Sequence, residues 1–334
     1  GFVPGRFYIL SGPESGGKTS IATYIASQIQ KKGKYVVYAD FEYSLNMNHA
    51  EELGLNLDEN LIFMRPKGGE DFFDSLVPIL NTGEVGLVVV DSLTDMASKA
   101  QTEDAFSGFS GGKTAVMLSY GLKKIAPYLY NNKCAMLMIA QERANIGATY
   151  GADFKIATSK APLFKSSFTA RVTKTEEITD PTTKEMVGIR IRVRNTKNKL
   201  GIPKRDANLK LMFKGGVDSE EEYLEYLTTF GIIKKSGAMY EVEGDAWGMG
   251  KVRGKDAVKT FLLEHPDIYS KVKEQVNNMI MGHTKLDEVE HDFSDLPNDY
   301  FDIKAPVVSS EDDYTEEQLE AMYNGDGLDV TDEQ

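Results

Sequence analysis

Several short runs of this chain are apolar without interruption: Phe7-Tyr8-Ile9-Leu10, Tyr35-Val36-Val37-Tyr38-Ala39-Asp40, Leu87-Val88-Val89-Val90-Asp91 and Ala135-Met136-Leu137-Met138-Ile139-Ala140-Gln141. Unalternated runs of this length predict buried strands. Between them, apolar residues recur at helical spacing over Thr19–Gln30, Asp71–Leu80 and Ala115–Tyr130. Strand and helix in alternation predict an α/β fold with a mostly parallel central sheet. Three later runs, Thr169–Glu177, Val187–Val193 and Asn208–Phe213, have no helix between them and predict hairpin strands at one end of that sheet. The pattern then changes. Helices are expected over Glu222–Phe230, closed by Gly231, over Lys255–Glu264 and over Ile268–Met281, with Met239–Val242 and the lone Trp247 between them. The expected organisation is a core over 1–218, a small α+β C-terminal domain over 219–285 and a tail over 286–334.

Charge sets the tail apart. The net charge of −13 is not spread evenly. Residues 286–334 hold 17 acidic residues and one basic residue, Lys304, for −16, which leaves +3 on the rest. A mildly basic body with an acidic, polar tail is expected, the tail mostly disordered. Tethered beside a basic surface, such a tail could compete with an anionic ligand, bind partner proteins or serve solubility alone. No run of eighteen apolar residues is present, so no membrane partner is expected. Cys134 is the only cysteine, which suits a reducing cytoplasm. The chain begins with Gly1 rather than Met, and a preceding segment stays in view.

Gly12-Pro13-Glu14-Ser15-Gly16-Gly17-Lys18-Thr19 matches the phosphate-loop pattern G-x-x-x-x-G-K-[ST] without a mismatch. It lies between a predicted strand and a predicted helix, the setting in which the pattern has physical meaning. Backbone N–H groups and the helix N-terminus would hold phosphate oxygens, with Ser20 next in line. Lys18 would reach the terminal phosphates, and the Thr19 hydroxyl would ligate Mg²⁺. Asp91 ends an apolar strand, where an acidic residue can hold Mg²⁺ through water; alone it would read as a helix cap. Glu42, just past Asp40, is a candidate general base or a solvated loop residue. Gln141 could sense the γ-phosphate or be a buried, hydrogen-bonded amide. Lys197 and Lys199, at i, i+2, face one way on a strand. They suit a γ-phosphate in the same subunit or across an interface, or else a basic edge strand.

Taken together these segments resemble the RecA recombinase family, including its phage-encoded, UvsX-like members. Gly12–Thr19 differs from the bacterial GPESSGKT at Gly16 alone, and Asp40-Phe41-Glu42 followed by Leu53-Gly54 is similar to the family's segment with the catalytic glutamate. The resemblance implies a RecA-like ATPase core that uses ATP and Mg²⁺. It makes Glu42 the catalytic carboxylate, Asp91-Ser92 the Walker B pair and Gln141 the switch glutamine. Lys197 and Lys199 become the paired lysines that act in trans across a filament interface. His49 falls where an aromatic stacks on adenine, and Asn46 where the family has an aspartate near the adenine amine. Gly237 to Trp247 and the helix ending near Met281 extend the likeness through the small domain.

Two segments fall at the family's DNA-binding loops, about Thr102–Lys113 and Arg143–Lys165. Lys113, Arg143, Lys155, Lys160 and Lys165, with Ile146, Tyr150, Phe154 and Phe164 interleaved, suit single-stranded DNA. Ile146 resembles the residue that wedges between base triplets; Ser159-Lys160-Ala161-Pro162 replaces the family's usual glycine pair. Ala97-Ser98-Lys99 and Thr102-Glu103-Asp104 look phage-like. Family members carry an N-terminal helix and strand that dock on the next subunit. This chain opens almost at the first core strand, so it is expected to form filaments poorly as written. The implied function is a DNA-dependent ATPase that coats single-stranded DNA as a filament and pairs it with duplex DNA in recombination and repair. Single-strand-binding or loader proteins are possible partners. A RecA-like hexameric helicase or a nonenzymatic single-strand-binding scaffold are the alternatives.

Overall fold

The computed structural model describes residues 2–99, 101, 112–144, 154–201 and 204–283. Ile146, Tyr150, most of the first DNA-loop segment and the acidic tail lie outside the described residues.

Strand β1 (Phe7–Gly12) runs into helix α1 (Lys18–Gln30). After it come β2 (Tyr35–Asp40), the short helix α2 (Met47–Glu52), β3 (Leu61–Met64), α3 (Gly69–Leu80), β4 (Val85–Asp91), α4 (Gly112–Asn131) and β5 (Ala135–Ala144). The next stretch holds β6 (Phe154–Ile156), α5 (Lys160–Lys165), β7 (Phe168–Thr179), β8 (Met186–Asn198), β9 (Asp206–Met212) and β10 (Gly216–Val217). In the main sheet the order is β10-β9-β8-β7-β1-β5-β4-β2-β3, with β6 paired to β5. The six strands from β7 to β3 pair in parallel. β7 to β10 pair antiparallel, the hairpin end that the sequence predicts.

The unalternated runs have a simple cause: both sheet faces are covered. Phe7, Ile9, Val37, Val88, Val90, Met136 and Met138 face α3 and α4, meeting Phe72, Leu76, Leu122 and Ile125. Their neighbours Tyr8, Leu10, Val36, Tyr38, Leu87, Val89 and Leu137 face α1, meeting Ile21, Ala22 and Ala26. Period-two alternation sends successive side chains to opposite faces, and both sides are apolar. α3 and α4 approach closely enough that a Cβ on Gly121 would stand 2.2 Å from the Phe73 ring.

The Arg143–Lys165 segment, expected to be a loop, is not one throughout. β5 continues to Ala144, β6 returns against it with Arg143 opposite Lys155, and α5 follows. Only residues 145–153 of it fall outside the described residues.

Beyond Val217 come α6 (Ser219–Thr229), the antiparallel strands β11 (Ile233–Ser236), β12 (Met239–Val242) and β13 (Val252–Arg253), then α7 (Lys255–Glu264) and α8 (Pro266–His283). These pack a separate core around Leu227, Ile233, Val258 and Val276. Gly231 takes φ 72°, the left-handed cap after α6 that its sequence position predicts. Asp218, nearly buried, is paired by Lys210 of β9 and Lys259 of α7, which staples the small sheet's helices to the main one. Among the described residues no helix is long and apolar enough to cross a membrane.

Candidate nucleotide site

Parallel strands end together, so their C-terminal residues converge. Gly12 is in register with Gln141, and Asp40 with Asp91. Helix α1 begins just past the end of β1, while β1's neighbours β5 and β7 come from late in the chain. Such a reversal of strand order opens a crevice at the carboxyl ends. A cleft of about 280 Å³ lies there, lined by Glu14 to Ser20, Glu42, Asp91 and Gln141, and walled by Lys174, Met186, Ile189 and Phe213 from the hairpin end.

The phosphate loop needs its glycines. Gly12 and Gly17 take φ 156° and 90°, and a Cβ on Gly12 would sit 2.1 Å from the Val172 carbonyl oxygen. Ser15 also takes positive φ, at 55°. Helix α1 follows Gly17, an N-cap residue with no side chain to cap it, so its first-turn N–H groups are offered to an anion rather than to a capping side chain. Lys18 is buried, and its Nζ donates to the carbonyls of Gly12 and Pro13 at 3.1 and 2.6 Å. Burial lowers its pKa, opposed by the charges of Asp91 and Glu42.

The donor set also fits a hard cation. Thr19 Oγ1 donates to Asp91 Oδ2 at 2.8 Å, and the Tyr38 hydroxyl donates to the same oxygen at 3.3 Å. Asp91 Oδ1 is buried and has no hydrogen-bond partner among the described residues. Burial pushes the Asp91 carboxyl up to about 6, with the Thr19 and Tyr38 hydrogen bonds pulling it down and Glu42 pushing it up. An orphaned carboxylate oxygen at such a position is what a Mg²⁺ ion, or a water bound to one, would satisfy. Among the described residues no group of three or more His, Cys, Asp or Glu could hold a metal. The cation would therefore draw the rest of its oxygen shell from the nucleotide and water.

Glu42 is held from two sides. The Asp91 carbonyl accepts from the N–H groups of Phe41 and Glu42, at 2.6 and 3.2 Å. The buried Asp40 carboxylate accepts from Ser44 and Leu45 N–H and from Arg65 Nε, each at 3.3 Å. Asp40 is thus a positioning residue for the glutamate. Partial burial raises the Glu42 pKa, as does repulsion from Asp95, while Lys18 lowers it. A carboxylate moved toward neutral pH is a better proton acceptor at working pH.

Other expected residues fall elsewhere. His49 lies at the first turn of α2, where Asn46 Oδ1 caps its N–H at 3.1 Å. Its ring meets Phe213 edge-on at 5.7 Å. Phe213 lines the cleft, and sequence reading missed it because a single aromatic past a strand carries no local signal. Lys197 and Lys199 do not line the cleft of their own chain. Lys197, on β8, is level with Ile9 in the middle of β1, and Lys199, just past the end of β8, is tied through Ser167 to Phe7 at its start; both stand back from the phosphate loop. Lys197 Nζ donates to the Leu163 carbonyl and to Ser166 Oγ, and Lys199 Nζ to the Phe164 carbonyl at 3.1 Å.

The expected DNA residues divide into three places. Arg143 and Lys155 oppose each other on β5 and β6, both exposed. Lys160 and Lys165 end the short α5, and Lys165 shares a recess with Arg6 and Lys199. Lys113 stands at the start of α4. Phe154, expected to meet bases, has the Arg171 guanidinium over its ring at 3.7 Å.

Comparison with known proteins places this geometry. The model of the RecA N-terminal domain matches residues 1–218, and that of the RecA C-terminal domain matches 222–281. Protein RecA of Nocardioides sp. (strain ATCC BAA-499 / JS614) is 30% identical over 298 residues, 89% of this chain and 82% of its own. Protein RecA of Staphylococcus carnosus (strain TM300) is 31% identical over 280 residues, 84% of this chain and 76% of its own. The crystal structure of the RadB recombinase is 21% identical with a TM-score of 0.47, covering 65% of this chain and 91% of that one. With both domain models matched in order and the phosphate loop, Asp91 and Glu42 gathered at one cleft, the chain belongs to the RecA family.

Proposed function

We propose that the chain is an ATP-dependent DNA recombinase. It binds single-stranded DNA as a filament of its own copies, pairs that strand with homologous duplex DNA and hydrolyses ATP between subunits. One observation carries this reading: the site is split. Lys18, Thr19, Glu42, Asp91 and Gln141 converge on the cleft, whereas the paired cations Lys197 and Lys199 do not line it and stand back toward the start of β1. A second copy presenting that surface would complete the site. Membership of the RecA family supports the DNA substrate.

In this reading Gly12 to Ser20 hold the phosphates and the His49–Phe213 pair borders the base. Thr19 and Asp91 hold Mg²⁺, which when bound would withdraw charge from the phosphate oxygens. Glu42 accepts the proton of the attacking water, and Gln141 reports the γ-phosphate. Arg143, Lys155, Lys160, Lys165 and Lys113 meet DNA phosphates, with Ile146 near the bases. The phage-like segments at Ala97–Lys99 and Thr102–Asp104 support a phage-encoded member acting in a bacterial cytoplasm.

The test is ATP turnover with and without single-stranded DNA, beside Lys18→Ala and Glu42→Gln. Stimulation by DNA that each substitution lowers by about 10²-fold or more is expected, with strand exchange to follow. Turnover indifferent to DNA would remove the DNA-dependent reading. Directional duplex unwinding without strand exchange would replace it with a motor.

A further inference from the structure

A charged pair lies one residue from Gln141, outside every role assigned above. The Glu142 side chain is 3% exposed, and Arg171 Nε donates to both of its carboxylate oxygens, at 3.1 and 2.9 Å. Ser11 Oγ, on the residue before the phosphate loop, donates to Glu142 Oε1 at 3.1 Å. The Arg171 guanidinium also covers the Phe154 ring on β6 at 3.7 Å. Arg171 is on β7, next to Ser11 in register. Four segments meet at this side chain: the end of β1 that enters the phosphate loop, the end of β5 that carries Gln141, the returning strand β6, and β7.

The connection continues through the backbone. Ala157 N–H donates to the Gln141 carbonyl at 2.8 Å. Thr94 Oγ1 accepts from Gln141 N–H at 3.2 Å and donates to the Ala157 carbonyl at 3.2 Å. The two arms of the basic β5–β6 hairpin are thereby locked to the strand end facing the nucleotide.

The carboxylate is buried and the guanidinium only partly so, and such an ion pair adds little net stability relative to well-packed apolar residues, because desolvation offsets the attraction. Its best-attested use is to fix one arrangement among several. Here the fixed arrangement joins the nucleotide cleft to the Arg143–Lys155 hairpin. We propose that Arg171, through Glu142 and Phe154, is a positioning residue that couples nucleotide binding at the Gln141 end of β5 to DNA binding at the β5–β6 hairpin. The proposal rests on the recombinase reading and adds the element that carries its coupling.

Linkage gives the measurement. If ATP tightens DNA binding, the ratio of DNA affinities with and without a nonhydrolysable ATP analogue and Mg²⁺ is the coupling, and it is reciprocal. The full chain is titrated with a fluorescent oligothymidylate in both conditions. Arg171→Ala should lower that ratio about tenfold, within the usual range of two-site coupling, with nucleotide-free DNA affinity and DNA-independent ATP turnover close to the parent's. Glu142→Gln/Arg171→Met, which leaves no lone buried charge, guards against misfolding and should lower the ratio alike. Arg171→Lys, which keeps the cation but not the two-oxygen contact, should fall between.

An unchanged ratio in folded variants would overturn the proposal alone. Weaker nucleotide-free DNA binding with the ratio intact would make Arg171 a DNA contact and also overturn it. A parent chain without any nucleotide effect on DNA binding would overturn the recombinase reading, and this proposal with it.

Discussion

Thr19 and Asp91, 72 residues apart, meet through one hydrogen bond of 2.8 Å that takes one carboxylate oxygen and leaves the other buried and unshared among the described residues. The arrangement disfavours the bare chain and favours a bound cation. Its pH dependence follows from the Asp91 carboxyl, raised by burial to about 6. A folded value above the unfolded one contributes stability below about pH 4, the unfolded value, and that contribution is lost as pH rises through about 6. Mg²⁺ acts in the opposite sense, because it must displace the proton. Mg²⁺-dependent nucleotide binding should therefore be flat above about pH 7 and weaken by up to about tenfold per unit below about 6. Asp91→Asn should stabilise the metal-free chain at pH 7 by about 1–3 kcal/mol while removing the Mg²⁺ dependence. Calorimetry and nucleotide titration across pH 5–8 check both; a flat Mg²⁺ profile would refute the assignment.

Tyr38 supplies a finer control on the same group. It is fully buried, with its hydroxyl 3.3 Å from Asp91 Oδ2 and 3.4 Å from Thr23 Oγ1. Tyr38→Phe removes a donor that lowers the Asp91 pKa. The acid limb of Mg²⁺-dependent binding should move to higher pH, at a cost of about 1 kcal/mol in stability. An unmoved limb would mean that the hydroxyl serves packing alone.

Gly121 tests the layer behind the sheet. Its Cβ would meet the Phe73 ring at 2.2 Å, whereas a Cβ on Gly112, at the start of the same helix, meets nothing within 4 Å. Gly121→Ala should cost about 1–3 kcal/mol by overpacking, despite the better helix propensity of alanine. Gly112→Ala should be neutral or slightly stabilising. Phe73→Leu in the Gly121→Ala background should recover part of the loss, read by denaturant unfolding.

What the sequence made legible was local. The central strands announced themselves because both faces are buried, and the phosphate loop because its chemistry fixes residue types at fixed spacing. β3 stayed hidden: Leu61–Met64 is four residues long, only half-buried, and lies at the sheet's edge. β6 and α5 stayed hidden because Phe154–Lys165 mixes small, basic and apolar residues without period, and pairing with β5 decides its form. The Glu142–Arg171 pair spans 29 residues and the Tyr38–Asp91 bond 53; contacts at such separations leave no mark in any local window. Lys197 and Lys199 were legible as a close pair, but Lys199 falls just past the end of β8, and only strand register sets the two back from the chain's own phosphate loop.

That separation yields the sharpest test of the split site. β1 rises about 3.3 Å per residue, so the level of Phe7–Ile9 is roughly 10–17 Å from Gly12 along the strand, and β8 lies two strands to the side. A lysine anchored on Leu163, Phe164 and Ser166 cannot serve its own phosphate loop without leaving those partners. Burial and repulsion from Lys199 already lower the Lys197 pKa, so its ammonium would gain from an anionic partner. Lys197→Ala/Lys199→Ala should lower DNA-stimulated turnover by about 10²-fold while leaving nucleotide binding to the isolated chain intact. Lys18→Ala should be inactive alone. Mixed in equal amounts on single-stranded DNA, the two chains should regain turnover. A loop-competent copy then meets a lysine-competent neighbour at about a quarter of the head-to-tail interfaces. If the lysines acted within their own chain, no mixture of the two variants would recover any activity.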